Sequence, residues 1–130
     1  MIRILLVDDE VDLAMTLAER LCLRDFDVEW AAGSTEALEK LESKDFDVSV
    51  LDLKMPKIDG LALKSMIQER YPHMKFIFFT GYGSEEDFDL ISQSIGKGFY
   101  LIKPIDIEVL VERIHAAVAS GRNGRNHDDP

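Results

Sequence analysis

The chain is poor in several things that define other classes of protein. It has a single cysteine, Cys22, so no disulfide can form within it. That suits a reducing compartment, and a cytoplasmic location is expected. No apolar run approaches the roughly 18 residues that a membrane-spanning helix needs, so no membrane insertion is expected. The opening Met1-Ile2-Arg3-Ile4-Leu5-Leu6-Val7 has too short an apolar part, and too acidic a sequel, for a secretory signal. Basic residues are scarce as well: 15 Lys and Arg stand against 25 Asp and Glu, a formal charge of -10. Nucleic acids and anionic membranes both reward clustered Lys and Arg, so direct binding to either is disfavoured.

What is present is enough for one domain with a real core. Of 130 residues, 46% are hydrophobic and 31% charged, ordinary values for a soluble globular protein. Short apolar runs alternate with helical patterns. Ile4-Leu5-Leu6-Val7 precedes a helix over about 11–23, with Leu13, Leu17 and Leu21 on one face. A weaker strand at Val28-Glu29-Trp30-Ala31 leads to Ser34, a candidate N-cap for a helix to about Ser43. Val48-Ser49-Val50-Leu51 is the third strand, and a helix from about Leu61 to Tyr71 stops before Pro72. Phe76-Ile77-Phe78-Phe79 is the fourth strand, and Ser84 with Asp87 opens a fourth helix to about Ser94. Phe99-Tyr100-Leu101-Ile102 is the fifth strand. Asp106 then caps a last helix carrying Ile107, Leu110, Val111, Ile114 and Val118 at helical spacing. Beyond it, the stretch from Gly121 has no apolar residue and reads as a mobile polar tail or the start of a linker. Regular βα alternation with apolar strands predicts an α/β fold: a three-layer α/β/α sandwich around a five-stranded parallel sheet.

Four of these strands run into a polar residue at their carboxyl ends: Asp8-Asp9, Asp52, Thr80 and Lys103. Open α/β sheets bind ligands at that edge. If the first and third strands are neighbours, Asp8, Asp9 and Asp52 share one pocket. Each like-charge pair at ~4 Å costs about 4 kcal/mol at an effective dielectric of about 20. Such a cluster takes up protons or binds a cation, and hard oxygen ligands are what Mg²⁺ prefers. A carboxylate beside that metal is a candidate nucleophile toward phosphorus. Lys103 supplies positive charge for a phosphoryl group, and the Thr80 hydroxyl supplies a hydrogen bond.

These residues, with Leu51-Asp52-Leu53-Lys54-Met55-Pro56, Asp59-Gly60, Thr80-Gly81 and Tyr100-Leu101-Ile102-Lys103-Pro104, resemble the receiver domain of two-component response regulators. The resemblance runs from about Ile2 to Ala119, a receiver domain over residues 1–120. It implies the flavodoxin-like strand order 2-1-3-4-5. Carried over residue by residue, it implies that Asp52 is the phospho-acceptor, served by a histidine kinase or phosphotransfer protein. Asp9, Asp52 and the Lys54 backbone carbonyl are then the Mg²⁺ ligands, with Asp8 acting mostly through metal-bound water. Thr80 and Lys103 engage the phosphoryl oxygens, and Tyr100 is the aromatic whose rotamer follows Thr80. A cis Lys103-Pro104 bond aims Lys103 into the site. Lys54 and Tyr82 occupy the variable positions that in this family influence the rate of dephosphorylation, and bulky Tyr82 is expected to lengthen phosphate lifetime. Such a domain catalyses its own phosphorylation and dephosphorylation without conventional substrate turnover. Its fourth helix, fifth strand and last helix form the surface that controls an output domain, a target protein or a dimer partner.

Other features carry less. His73 and His127 lie outside the patterned segments, and neither they nor His115 have metal-ligand spacing. His115, Cys22 and Trp30 are expected to pack. There are two rival functions, of which the second keeps the same fold. An aspartate-nucleophile phosphatase wants an acid two residues after the nucleophile, where this chain has Lys54. An interaction module that works without phosphorylation does not need the acid set together with Thr80 and Lys103.

Overall fold

The structure, a computed structural model, describes residues 1–81, 93 and 99–128. Every apolar run named above becomes a strand: β1 (Arg3–Val7), β2 (Asp27–Ala31), β3 (Val48–Asp52), β4 (Lys75–Thr80) and β5 (Tyr100–Ile102). The described helices are α1 (Val11–Cys22), α2 (Ser34–Ser43), α3 (Gly60–Arg70) and α4 (Ile107–Asp128). The strands form one sheet in the order β2-β1-β3-β4-β5, and every neighbouring pair is parallel.

Strand alternation sends successive side chains to opposite faces, and both faces are covered. Leu5, Val7, Leu51, Phe76 and Phe78 meet Ala37 and Leu41 of α2 and Leu63 and Ile67 of α3. Ile4, Leu6, Val48, Val50, Ile77 and Phe79 meet Ala14, Leu17 and Leu21 of α1 and Leu110 and Ile114 of α4. Double coverage is why the strands read as continuous apolar runs rather than alternating ones. The third strand is buried at every position. Each fully buried Leu or Phe contributes about 1.5–3 kcal/mol, so this core holds the strand ends in place.

Local signals operate with some displacements. Asp59 caps α3 by accepting the Ala62 N–H at 2.9 Å, and Asp106 caps α4 by accepting the Glu108 N–H at 2.9 Å. Ser34 is not the N-cap of α2: Gly33 holds that position, and Ser34 is the first helical residue. The Glu36 carboxylate instead accepts the Ala32 N–H at 3.2 Å. Cys22, expected to pack, is exposed, because it follows buried Leu21 and turns roughly 100° away from the core face. Trp30 does pack against the face covered by α1 and α4, and the His115 ring lies 5.4 Å from that of Phe26. The last helix continues through Gly121, where the sequence predicts a mobile tail, to Asp128. Propagating an existing helix is far easier than starting one, and no proline interrupts it there. The expected fourth helix from Ser84 (apart from Gln93), Tyr82 and Gly96-Lys97-Gly98 lie outside the described residues.

One close approach fixes the loop after β3. A Cβ on Gly60 would stand 2.5 Å from the Asp52 carbonyl oxygen and 2.9 Å from Leu53 Cα. The Gly60 N–H meanwhile donates to the Leu53 carbonyl at 3.0 Å. The start of α3 is therefore pressed onto the backbone that carries Asp52. Gly60→Ala should cost about 1–3 kcal/mol, the range for overpacking a tight site, measured as a lowered urea midpoint with an unchanged slope.

Candidate functional site

The strand-end residues converge at the carboxyl edge of the sheet. Asp8 follows β1, is fully buried, and donates its N–H to the Ala31 carbonyl at 3.1 Å. Asp52 ends β3 with 3% exposure, and Thr80 ends β4 fully buried. Lys103 follows β5, and its N–H donates to the Thr80 carbonyl at 2.8 Å. The Leu53 N–H donates to the Phe79 carbonyl at 2.9 Å. These backbone bonds extend the parallel ladder one residue past the strands, which brings Asp8, Asp52, Thr80 and Lys103 to the same edge. The Lys103-Pro104 bond is cis, as the resemblance implies.

The Lys103 ammonium stands among three carboxylates. Its Nζ lies 2.7 Å from Glu10 Oε1, 3.1 Å from Asp8 Oδ2 and 3.5 Å from Asp52 Oδ2. Only the Glu10 contact has hydrogen-bond alignment; the Asp8 oxygen is close enough for an ion pair but is misaligned. One carboxylate oxygen from each of Asp8, Glu10 and Asp52 lies within 4.8 Å of the others. Asp52 Oδ1 accepts the Lys54 N–H at 3.2 Å.

Sequence reasoning therefore finds Asp8, Asp52, Thr80 and Lys103 and misses Glu10. The available signal is the third acid in the run Asp8-Asp9-Glu10, which also reads as an ordinary acidic helix start. Among the described residues, the carboxylate trio does not include Asp9, which is exposed. The Lys54 backbone lies two residues past Asp52, and its side chain is exposed. Tyr100 is buried, paired with Phe78 across β4 and β5, and it packs in the cluster covered by α2 and α3.

Electrostatics follow from this crowding. Burial, then the hydrogen bond that protonated Asp52 donates to Asp8 and the repulsion between the two carboxylates, push the Asp52 carboxyl up to about 7, while Lys103 and the Lys54 N–H pull it back. For Lys103, burial favours the neutral amine, but Glu10, Asp8 and Asp52 more than offset it and hold the ammonium above its ordinary value. The pocket thus carries more negative than positive charge and is built of hard oxygen donors.

A doubly wound parallel sheet with a cation-seeking acidic pocket at its carboxyl edge defines the class. The model of the response regulator receiver domain matches residues 4–115, and the chain belongs to that family. It is 34% identical over 113 residues to the transcriptional regulatory protein TrcR of Mycobacterium tuberculosis, covering 87% of this chain and 44% of that protein. The chain thus spans less than half of that relative. A crystal structure of a receiver domain protein from Clostridium thermocellum superposes with a TM-score of 0.84 at 30% identity, covering 94% of this chain and 98% of the other. TrrA of Thermotoga maritima, solved in complex with Mg(2+)-BeF, gives 0.77 at 32% identity, covering 90% and 99%. Among the described residues, no helix is long and apolar enough to cross a membrane.

A carboxyl held near 7 has a defined effect on stability. The folded state binds that proton more tightly than the unfolded chain, so its contribution is complete below about pH 4 and is lost as pH rises through about 7. Without divalent metal, wild type should lose up to about 3 kcal/mol between pH 5 and pH 8 that Asp52→Asn retains. Urea denaturation of both proteins across that range, at fixed ionic strength, checks the difference.

Proposed function

We propose that the chain is a phosphorylation-operated switch in which Asp52 accepts a phosphoryl group from the phosphohistidine of a histidine kinase or phosphotransfer protein. The observation that carries this is the Asp52 carboxylate, packed with Asp8 and Glu10 and lying 3.5 Å from the Lys103 ammonium. The oxygen donor set suits Mg²⁺, and the buried, misaligned Asp8 Oδ2 is an acceptor suited to a cation. Asp8 and Asp52 would hold Mg²⁺, with Asp9 and the Lys54 carbonyl as the further ligands that the resemblance implies. When bound, Mg²⁺ offsets the charge of the phosphoryl oxygens.

The chain's own residues perform the transfer. An Asp52 carboxylate oxygen forms a bond to phosphorus as the bond from phosphorus to the donor imidazole nitrogen breaks, and the electron pair stays with the imidazole. Lys103 remains protonated and donates to a phosphoryl oxygen, and the Thr80 hydroxyl donates to another. Their backbones are joined by the Lys103 N–H bond to the Thr80 carbonyl, which keeps the two donors at one edge of the pocket.

Phosphorylation adds about -1.5 to -2 charges and strong acceptor oxygens at the strand ends. Thr80 moves toward the phosphoryl group, and Tyr100 changes rotamer in response. Because Tyr100 is buried in this structure, its other position must be an outward one. The surface that reads the change includes β5, α4 and the segment before β5, and it controls an output domain, a target protein or a dimer partner. The polar stretch from Gly121 serves as a linker. With TrcR being a transcriptional regulatory protein, an attached output module is the kind of partner we favour, in the cytoplasm, with no nucleic-acid contact by this domain itself.

Asp52→Asn should abolish Mg²⁺-dependent, acid-labile phosphate incorporation from acetyl phosphate or a phosphorylated kinase domain, read by phosphate-affinity gel and intact mass. Undiminished labelling of that variant overturns the assignment of Asp52. A wild type that folds yet takes no label from either donor favours the phosphorylation-independent interaction module.

A further inference from the structure

Glu10 is placed oddly for the role its position offers. It is the N-cap of α1, yet its side chain makes no capping hydrogen bond, and glutamate is not among the residues favoured there. Its backbone already has partners: the N–H donates to Asp8 Oδ1 at 2.9 Å, and the carbonyl accepts from the Ala14 N–H at 3.0 Å. The carboxylate instead crosses 93 positions of sequence to meet Lys103 at 2.7 Å. That contact is shorter than those the ammonium makes to buried Asp8 and Asp52.

An ammonium has three N–H donors. In this structure its aligned hydrogen bond goes to Glu10, while Asp8 and Asp52 hold it by charge at longer range, so a phosphoryl oxygen on Asp52 competes first with Glu10 for it. Asp8 and Asp52 are buried, and losing their counter-charge would leave them poorly compensated. Glu10 has a side chain that is 64% exposed, and water can replace Lys103 there at little cost.

We propose that Glu10 is a positioning residue acting through Lys103: it holds the ammonium at the mouth of the pocket in the resting state and competes with the phosphoryl group for it. This rests on the switch function proposed above. Breaking the pair raises the resting state relative to the phosphoryl-bound state and leaves the ligands on Asp52 intact. Removing Glu10 therefore strengthens phosphoryl capture.

The test separates the ion pair from simple charge. Glu10→Gln removes the charge. Glu10→Asp keeps it on a stem one methylene shorter, better suited to cap α1 and too short to reach Lys103 as Glu10 does. Apparent affinity for beryllofluoride at saturating Mg²⁺ is measured for wild type and both variants, with urea midpoints to verify folding. Both variants should bind about two- to fivefold more tightly, the span expected for releasing a partly exposed ion pair. Tighter binding by Gln alone makes Glu10 a repelling charge and overturns the proposal, as do unchanged or weaker binding by both. The resting pair is read separately in metal-free protein from the Lys103 ammonium resonance, which should shift in both variants; an unshifted resonance refutes the pair. A wild type that shows the pair yet binds no beryllofluoride would count against the switch function itself, and with it against the competition.

Discussion

Crowded negative charge at one edge of a sheet governs this molecule. Asp8 and Asp52 are carried there by buried parallel strands, and the apolar core allows neither to retreat into water. At contact distance their repulsion is worth several kcal/mol unless a proton or a cation intervenes. In the metal-free fold, two devices limit it: a proton held on Asp52 up to about 7, and the Lys103 ammonium drawn in from the far side of β4. Neither is permanent. In the proposed switch a divalent cation would replace the proton and a phosphoryl group would give Lys103 a stronger partner, so the same excess charge that destabilises the resting pocket would make it responsive.

The rest of the fold keeps that tension in place. Strands β1, β3 and β4 are covered on both faces, and the ladder continues past their ends through the Leu53 and Lys103 N–H groups. The loop after Asp52 is clamped by the contact between Gly60 and the Asp52-Leu53 backbone. With the backbone held on both sides, a change of ligand at Asp52 cannot be absorbed by sliding strands. It must appear in side-chain rotamers and in the loops of the carboxyl edge.

Much of this is legible from residue order. Two-sided burial forces uninterrupted apolar runs, so five strands can be counted, and strand ends locate Asp8, Asp52, Thr80 and Lys103 without any knowledge of the fold. Strand order is not legible from periodicity and comes with the family resemblance. Glu10 escapes because its significance is a tertiary contact: nothing local distinguishes a helix-start acid that reaches Lys103 from one that faces solvent. Cys22 and Ser34 go wrong by a single position. One residue is 100° on a helix, enough to turn a side chain from core to solvent, and patterns of spaced leucines do not resolve it. Asp9 stands between two residues whose carboxylates join the trio while its own does not, because adjacent residues at the end of a strand point in different directions.

That geometry also constrains how a signal can leave the pocket. In the proposed switch, charge added at Asp52 would act most strongly within the pocket, and its pull on a partner across more than about 8 Å of water would be weakened by salt. Thr80 is bonded through its carbonyl to Lys103, and it pairs with Ile102 across β4 and β5. The edge strand β5 is short, and Ile102 is 56% exposed on it, an apolar residue at the boundary between pocket and surface. Tyr100, two residues earlier on the same face of the strand, lies buried in the core covered by α2 and α3. A rotation of Tyr100 would therefore exchange an aromatic ring between core and surface beside an apolar residue that is already exposed. Such an exchange alters apolar area by an amount worth kilocalories, where screened charge would deliver fractions of one. The readout of an electrostatic event is thus best carried by hydrophobic burial.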